Sequence, residues 1–350
     1  MDPGARITSL DGLRGIAAMS VMAFHFNIFF LPQARIPFLG HAYLAVDLFF
    51  LLSGFVMAHV YGRLLASNWR MHWRRFALAR FARIYPLFLI TTLALAVLVA
   101  LYRVPTNLVS LSGRSLALQL PLMQQWCSGL SWNYPSWSIS TEAEAYLYFV
   151  LSAGLLLTGK YPRLMAVCCI AGLAILSLSD EGSLNYFVGV RALLRTIAGF
   201  SLGVLLYRAH CRRAEFPRHW AGVLAVALTG AAATTRMDFL AVCAFACLIY
   251  YSVPAKNVFG KLLNSRALAA LGRWSYSIYL LHAPVHFAVM AALVAYRHPV
   301  SQLDSPSARV LLLATALVVV ALAALHYRYV ETPLRLWLLR TASLSHRMAQ

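Results

Sequence analysis

Apolar stretches separated by short polar or basic segments recur from one end of the chain to the other. The first of them, GIAAMSVMAFHFNIFFL, follows Asp11-Gly12-Leu13-Arg14 and is long enough to cross a bilayer, whose hydrocarbon core takes about 20 helical residues. The pattern predicts helical spans at roughly 12–32, 41–61, 82–103, 136–157, 163–179, 186–207, 219–235, 238–253, 273–296 and 308–328. The fold class that follows is all-α: a polytopic integral membrane helical bundle of about ten transmembrane helices, with both termini cytoplasmic. One membrane-embedded domain over residues 1–350, with no appended soluble domain, is the simplest division. The first span has no small-residue cleavage site behind it, and acidic Asp11 precedes Arg14 where a leader would be basic. It therefore reads as a retained span and not a signal peptide.

Composition agrees. The chain is 61% hydrophobic and only 12% charged, against about 25% charged in soluble domains. A net charge of +19 would suit nucleic acid if it were clustered, but the basic residues fall in alternating short loops. With the N-terminus inside, the outer segments hold only Arg35, Arg103, Arg114, Arg236, Arg297 and Arg309, while Arg191 and Arg195 lie within a span. That asymmetry is the positive-inside rule, so the charge reports topology; the expected partner is the lipid bilayer and not nucleic acid. The six cysteines form no CxxC pair and no outer set. They read as packing residues and not as a zinc or disulfide framework.

Polar residues inside the apolar stretches are where function is expected, because an ionisable group at that depth is costly. His25 sits in the first span, and imidazole is the side chain that trades a proton near neutrality. Of the 11 acidic residues, Asp47, Glu142 and Glu144 lie in apolar surroundings near the outer ends of their spans. Glu144 projects from a different helix face than Glu142 and reads as structural. His282 and His286 share one face a turn apart, a spacing able to chelate a metal, yet no third ligand accompanies them and no metal is expected. Pro284 between them should kink the helix and free a backbone carbonyl. In the basic run from Arg70 to Arg83, Arg70, Arg74 and Arg75 suit an interfacial helix against anionic lipid. Arg80 and Arg83 share a face entering the next span, and guanidinium forks bind phosphate. Guanidinium groups at the cytoplasmic mouth, histidines at mid-depth and carboxylates beyond suit transfer of a group from a phosphorylated cytoplasmic donor. They equally suit a proton-coupled transporter of a saccharide or acylated metabolite, and residue chemistry leaves both open.

Five segments, in this order, resemble the membrane-bound acyltransferase-3 family: LDGLRGIAAMSVMAFHF, VDLFFLLSGFVM, RRFALARFARIYPLF, SWSISTEAEAYLYF and WSYSIYLLHAPV. The resemblance covers the whole chain. It implies an integral membrane O-acyltransferase, moving acetyl from cytoplasmic acetyl-CoA to a hydroxyl of a glycan, exopolysaccharide precursor or lipid-linked saccharide. It also implies residence in a bacterial cytoplasmic (inner) membrane, with polysaccharide-assembly proteins as candidate partners. On this reading the essential histidine corresponds to His25, the RxxR element to Arg80 and Arg83, and the WSxxxE element to Trp137, Ser138 and Glu142. His25 would serve as general base or carry the acyl group, with Asp47 or Glu142 orienting it. Arg80 and Arg83 would hold the donor's phosphates. Arg14, Ser53, Trp137, Ser138, Tyr276 and His282 would line the substrate path or support the site. The sequence departs from the family in the sixth span, where Gly199 precedes Phe200 and Gly203, and in reading Ala143-Glu144 after Glu142. Many relatives append an esterase-like domain, and this chain ends soon after Val330-Glu331-Thr332-Pro333.

Overall fold

A computed structural model describes residues 6–31, 37–102, 113–127, 131–186, 188–212, 218–253, 258–296, 304–338 and 340. Its principal elements are helices: α1 (Thr8–Phe30), α2 (Ala45–Tyr102), α3 (Trp137–Thr158), α4 (Pro162–Leu178), α5 (Gly189–Cys211), α6 (Arg218–Thr235), α7 (Asp238–Ser252), α8 (Arg266–Ala295) and α9 (Ser305–His326). No strand occurs among the described residues. Five helical stretches are long and apolar enough to cross a membrane: Thr8–Phe30, Ala42–Leu101, Gly189–Cys211, Arg266–Ala295 and Ser305–Leu338. Two more, Pro162–Leu178 and Asp238–Ser252, are apolar but shorter. The molecule is an integral membrane protein.

The expected spans at 41–61 and 82–103 both fall in α2, which at about 1.5 Å per residue would far exceed a bilayer if straight. It is not one helix. Asn68 leaves helical geometry (φ −157°, ψ 87°), and its side-chain oxygen accepts the Met71 amide at 3.2 Å. That is an N-cap, satisfying a donor that the new helix would otherwise leave open. The basic run after Asn68 is thus the first part of a second helix, continuous with the apolar stretch beyond it.

Contacts gather the chain into two compact units. The first comprises Met1–Ala17, Tyr43–Trp73 and Thr141–Gly272, and the second Ala18–Ala42, Arg74–Ser140 and Arg273–Gln350. In the first unit α6 packs on α7 and α4 on α5. Where the start of α2 meets α5, glycines face backbone from both sides. A Cβ on Gly54 would stand 1.9 Å from the Phe200 carbonyl oxygen, and one on Gly203 would stand 2.0 Å from that of Leu51. Without a hydrophobic force between helices in lipid, such small-residue contact is what lets backbones approach and pack. α3 shows how the apolar surface divides. Ala145, Phe149 and Ala153 are fully buried, whereas Leu147, Leu151 and Leu155, on another face at four-residue spacing, stay more than 60% exposed. An apolar stripe left outside on an apolar-cored helix is a lipid-facing one.

In the second unit, the part of α8 from Arg273 on is tied to several elements. Pro284 has no N–H to give the Leu280 carbonyl, so the sequence expectation of a freed backbone acceptor holds, and the Asn133 side-chain amide fills it at 3.0 Å. Tyr276 donates its hydroxyl to the Ile84 carbonyl in the second half of α2. Ser277 hydrogen-bonds both His326 Nδ1 (3.0 Å) and Glu331 (2.9 Å), tying α8 to the π-helical turn Tyr327–Glu331 after α9. α9 opens on Asp304, whose carboxylate accepts the Ser307 amide at 3.0 Å. Hydrogen bonds from the Ser307 side chain and amide hold this exposed carboxyl below its ordinary range.

Candidate active site

His25 lies on α1 in the second unit, and its ring partner is a second imidazole. His25 Nδ1 stands 3.1 Å from Nε2 of His282, with the two rings stacked at 5.1 Å and 23°. The other nitrogen of His282, Nδ1, lies 3.3 Å from the carbonyl oxygen of Ile278 one turn earlier. A carbonyl only accepts, so His282 carries its proton on Nδ1 and presents a bare Nε2. His25 must then donate from Nδ1, which leaves a lone pair on its own Nε2 when the ring is neutral. The chain Ile278 C=O, His282, His25 therefore assigns one tautomer to each ring. His25 also hydrogen-bonds the Val21 carbonyl one turn earlier.

Around these rings stands an aromatic wall from the same unit. Tyr134 packs 4.7 Å from His25, 5.5 Å from His282 and 6.4 Å from His286. His286 stacks on Phe29 at 4.0 Å and 20° and meets the edge of Phe30. His282 and His286 are buried, while His25 remains partly accessible.

Tyr134 opens the short turn Tyr134–Ser136 that leads into α3, and that turn is fastened to α8 by several bonds. Besides the Asn133–Leu280 bond, Tyr279 donates its hydroxyl to the Pro135 carbonyl (2.9 Å) and shares a hydrogen bond with Ser138 (2.7 Å). Ser138 and the half-buried Trp137, singled out in the sequence, thus sit at the root of the loop carrying Tyr134. Arg80 is buried and Arg83 partly so, one turn apart on the second half of α2, where Tyr276 reaches the Ile84 carbonyl.

The carboxylates belong to the first unit and are already engaged there. Both oxygens of Asp47 are held by Arg195 in a bidentate fork, at 2.7 Å from Nε and 2.5 Å from Nη2, with both side chains 1% exposed. Arg195 also donates to the Tyr186 carbonyl at 3.0 Å. Glu142 accepts the hydroxyls of Ser53 (2.5 Å) and Tyr146 (2.6 Å) through one oxygen. Arg14 is half-buried on the part of α1 that belongs to this unit. So the structure brings His25 to His282, Ser53 to Glu142, and Ser138 to the Tyr134 turn, and gives Asp47 to Arg195.

Three participants escaped the sequence reading. Arg195 was visible only as a cation inside a span, which by itself demands a buried anion. Tyr134 stands immediately before the PSWS run, in a loop where aromatics pass for interfacial anchors. His286 is marked in the sequence only by its one-turn spacing from His282, which points to metal chelation.

Helices long and apolar enough to cross a bilayer, with imidazoles buried among them, define an integral membrane protein carrying an ionisable cluster within its helices. Residues 7–327 match the acyltransferase domain model of the acyltransferase-3 family, nearly the whole chain. The chain belongs to this family and is an O-acyltransferase. It is similar to the acyltransferase MdmB of Streptomyces mycarofaciens, with 31% identity over 94% of this chain and 91% of that protein. It is also similar to the peptidoglycan O-acetyltransferase OatA of Listeria monocytogenes (26%) and the O-acetyltransferase OatA of Staphylococcus aureus (24%), each over 94% of this chain. It spans only 56% and 57% of those two proteins' lengths. No solved structure matches.

Proposed function

We propose that the protein transfers an acetyl group from acetyl-CoA to a hydroxyl of a glycan, exopolysaccharide precursor or lipid-linked saccharide, within a bacterial cytoplasmic membrane. The observation that supports this reading is the His282–His25 hydrogen bond, which would leave His25 Nε2 to act as the base. In this mechanism Nε2 takes the proton of the acceptor hydroxyl as its oxygen bonds the acyl carbon. The resulting imidazolium is stabilised through His282 and the Ile278 carbonyl, and its proton then goes to the departing thiolate. His282 thereby fills the orienting role that a carboxylate fills in a serine protease triad. The bidentate engagement of Asp47 by Arg195 supports a structural role for that acid. Arg80 and Arg83 hold the donor's phosphates. Ten crossings with both termini cytoplasmic would put these arginines at the inner face, where acetyl-CoA is made available. Exclusion of water by the bundle protects the thioester. Family membership favours transfer chemistry over proton-coupled transport.

The test is transfer from labelled acetyl-CoA in membranes carrying single variants. His25→Ala is expected to lower transfer at least about 10²-fold at normal protein level. Arg80→Ala should raise the KM for acetyl-CoA, and Arg80→Lys should restore it poorly, because a lysine cannot make the bidentate fork. Full transfer by His25→Ala sinks the base assignment.

A further inference from the structure

Among the described residues, two buried groups in the aromatic wall near His25 have no hydrogen-bond partner: the Tyr134 hydroxyl and the imidazole of His286, at both of its nitrogens. Such groups are seldom left open in a folded protein, since each unsatisfied one carries its full desolvation penalty. Both are also clamped. His286 is 3% exposed and pinned by the stack on Phe29 and the edges of Phe30 and Phe26. Tyr134 is fixed by the bonds from Asn133 and Tyr279 that fasten its turn to α8. Clamped, unpartnered donors near His25 are what an acyl-transfer site needs where negative charge develops.

We propose that the Tyr134 hydroxyl and the His286 imidazole N–H are catalytic residues that bind the carbonyl oxygen of the acyl thioester. The assignment rests on the acyl-transfer reading above. As the acceptor oxygen bonds the acyl carbon, the carbonyl π electrons move onto its oxygen, and the acceptor's proton passes to His25 Nε2. Tyr134 O–H and His286 N–H donate to that oxyanion without giving up their protons. When the carbonyl re-forms, the carbon–sulfur bond breaks, and the thiolate takes the proton from His25 to leave as the free thiol. The products are an O-acyl ester and the thiol. Neither donor changes charge, which explains how His286 serves while surrounded by phenylalanine rings. His282 is spoken for by His25 and Ile278, so the division of labour among the three histidines follows from their hydrogen bonds.

The experiment uses the full chain in native membranes with [14C]acetyl-CoA as donor and the acceptors present there. Tyr134→Phe keeps the ring and removes the donor, and His286→Phe removes the donor while keeping an aromatic side chain. Each is expected to lower kcat for acetyl transfer by about 10²–10³-fold. The KM for acetyl-CoA should change less than about threefold, since the lost bond acts mainly in the transition state. His286→Gln, which retains an N–H, should recover part of that loss. In the purified protein loaded with acetyl-CoA labelled at the carbonyl carbon, the carbonyl stretching band should sit below its position in free acetyl-CoA. It should move back upward in Tyr134→Phe. Full kcat in both phenylalanine variants, or a rise in KM at unchanged kcat, overturns the proposal. An unshifted carbonyl band in the wild type overturns it even if a variant fails to accumulate. A transfer-competent His25→Ala with impaired Tyr134→Phe would instead fault the base assignment and leave the donors standing.

Discussion

At the level of single residues, the hydrogen bonds of His282 decide what His25 can do. With His282 Nδ1 donating to a carbonyl, its Nε2 accepts a hydrogen bond from His25 Nδ1–H, and His25 Nε2 is the nitrogen left for the base role. Replacing His282 by Phe removes that acceptor, frees the His25 ring to rotate or adopt the other tautomer, and should lower kcat about 10²-fold. His282→Gln can still accept from Nδ1 through its side-chain oxygen and should retain much more activity. Steady-state kinetics with labelled acetyl-CoA distinguish the two, and equal activity of Phe and Gln variants would contradict an orienting role. His25 itself was legible in the sequence, because an imidazole in an apolar span is anomalous wherever it occurs. Its partner was less so: the two residues are 257 positions apart, and no periodicity relates them.

Among the elements, the Asp47–Arg195 pair joins the start of α2 to α5 inside the first unit. A buried ion pair contributes little net stability, yet losing one partner strands the other charge at a cost of about 3–5 kcal/mol. Arg195→Met should therefore reduce thermal stability in detergent sharply. Combining it with Asp47→Leu should recover much of the loss, because no bare charge remains. If the double variant is stable and transfers acetyl, Asp47 is structural. If it is stable and inactive, Asp47 belongs to the chemistry after all. The sequence exposed the cost of Asp47 but not its remedy, since Arg195 lies 148 residues away. By contrast, Pro284 announced its freed carbonyl locally, and only the identity of its new donor, Asn133, required the structure.

For the molecule as a whole, apolar runs locate the helices, and three of them to within a residue at each end. The expected spans 163–179, 219–235 and 238–253 correspond to Pro162–Leu178, Arg218–Thr235 and Asp238–Ser252. What hydropathy missed was the helical continuation of α2 from Asn68 through the basic run, because charge reads as a break when it is only a change of surroundings. Ten crossings with both termini inside predict that a green fluorescent protein fused at the C-terminus fluoresces and that alkaline phosphatase fused there is inactive. Active phosphatase at that end would require an odd number of crossings or an inverted protein. O-acylation of a cell-envelope saccharide by the imidazole relay is best measured in a strain lacking the gene. Acetyl esters on envelope glycans are measured by mass spectrometry after complementation with wild type or with His25→Ala at matched protein level. One class of acetyl ester is expected to disappear on deletion, return with wild type and stay absent with His25→Ala; its full return with His25→Ala rules the imidazole relay out.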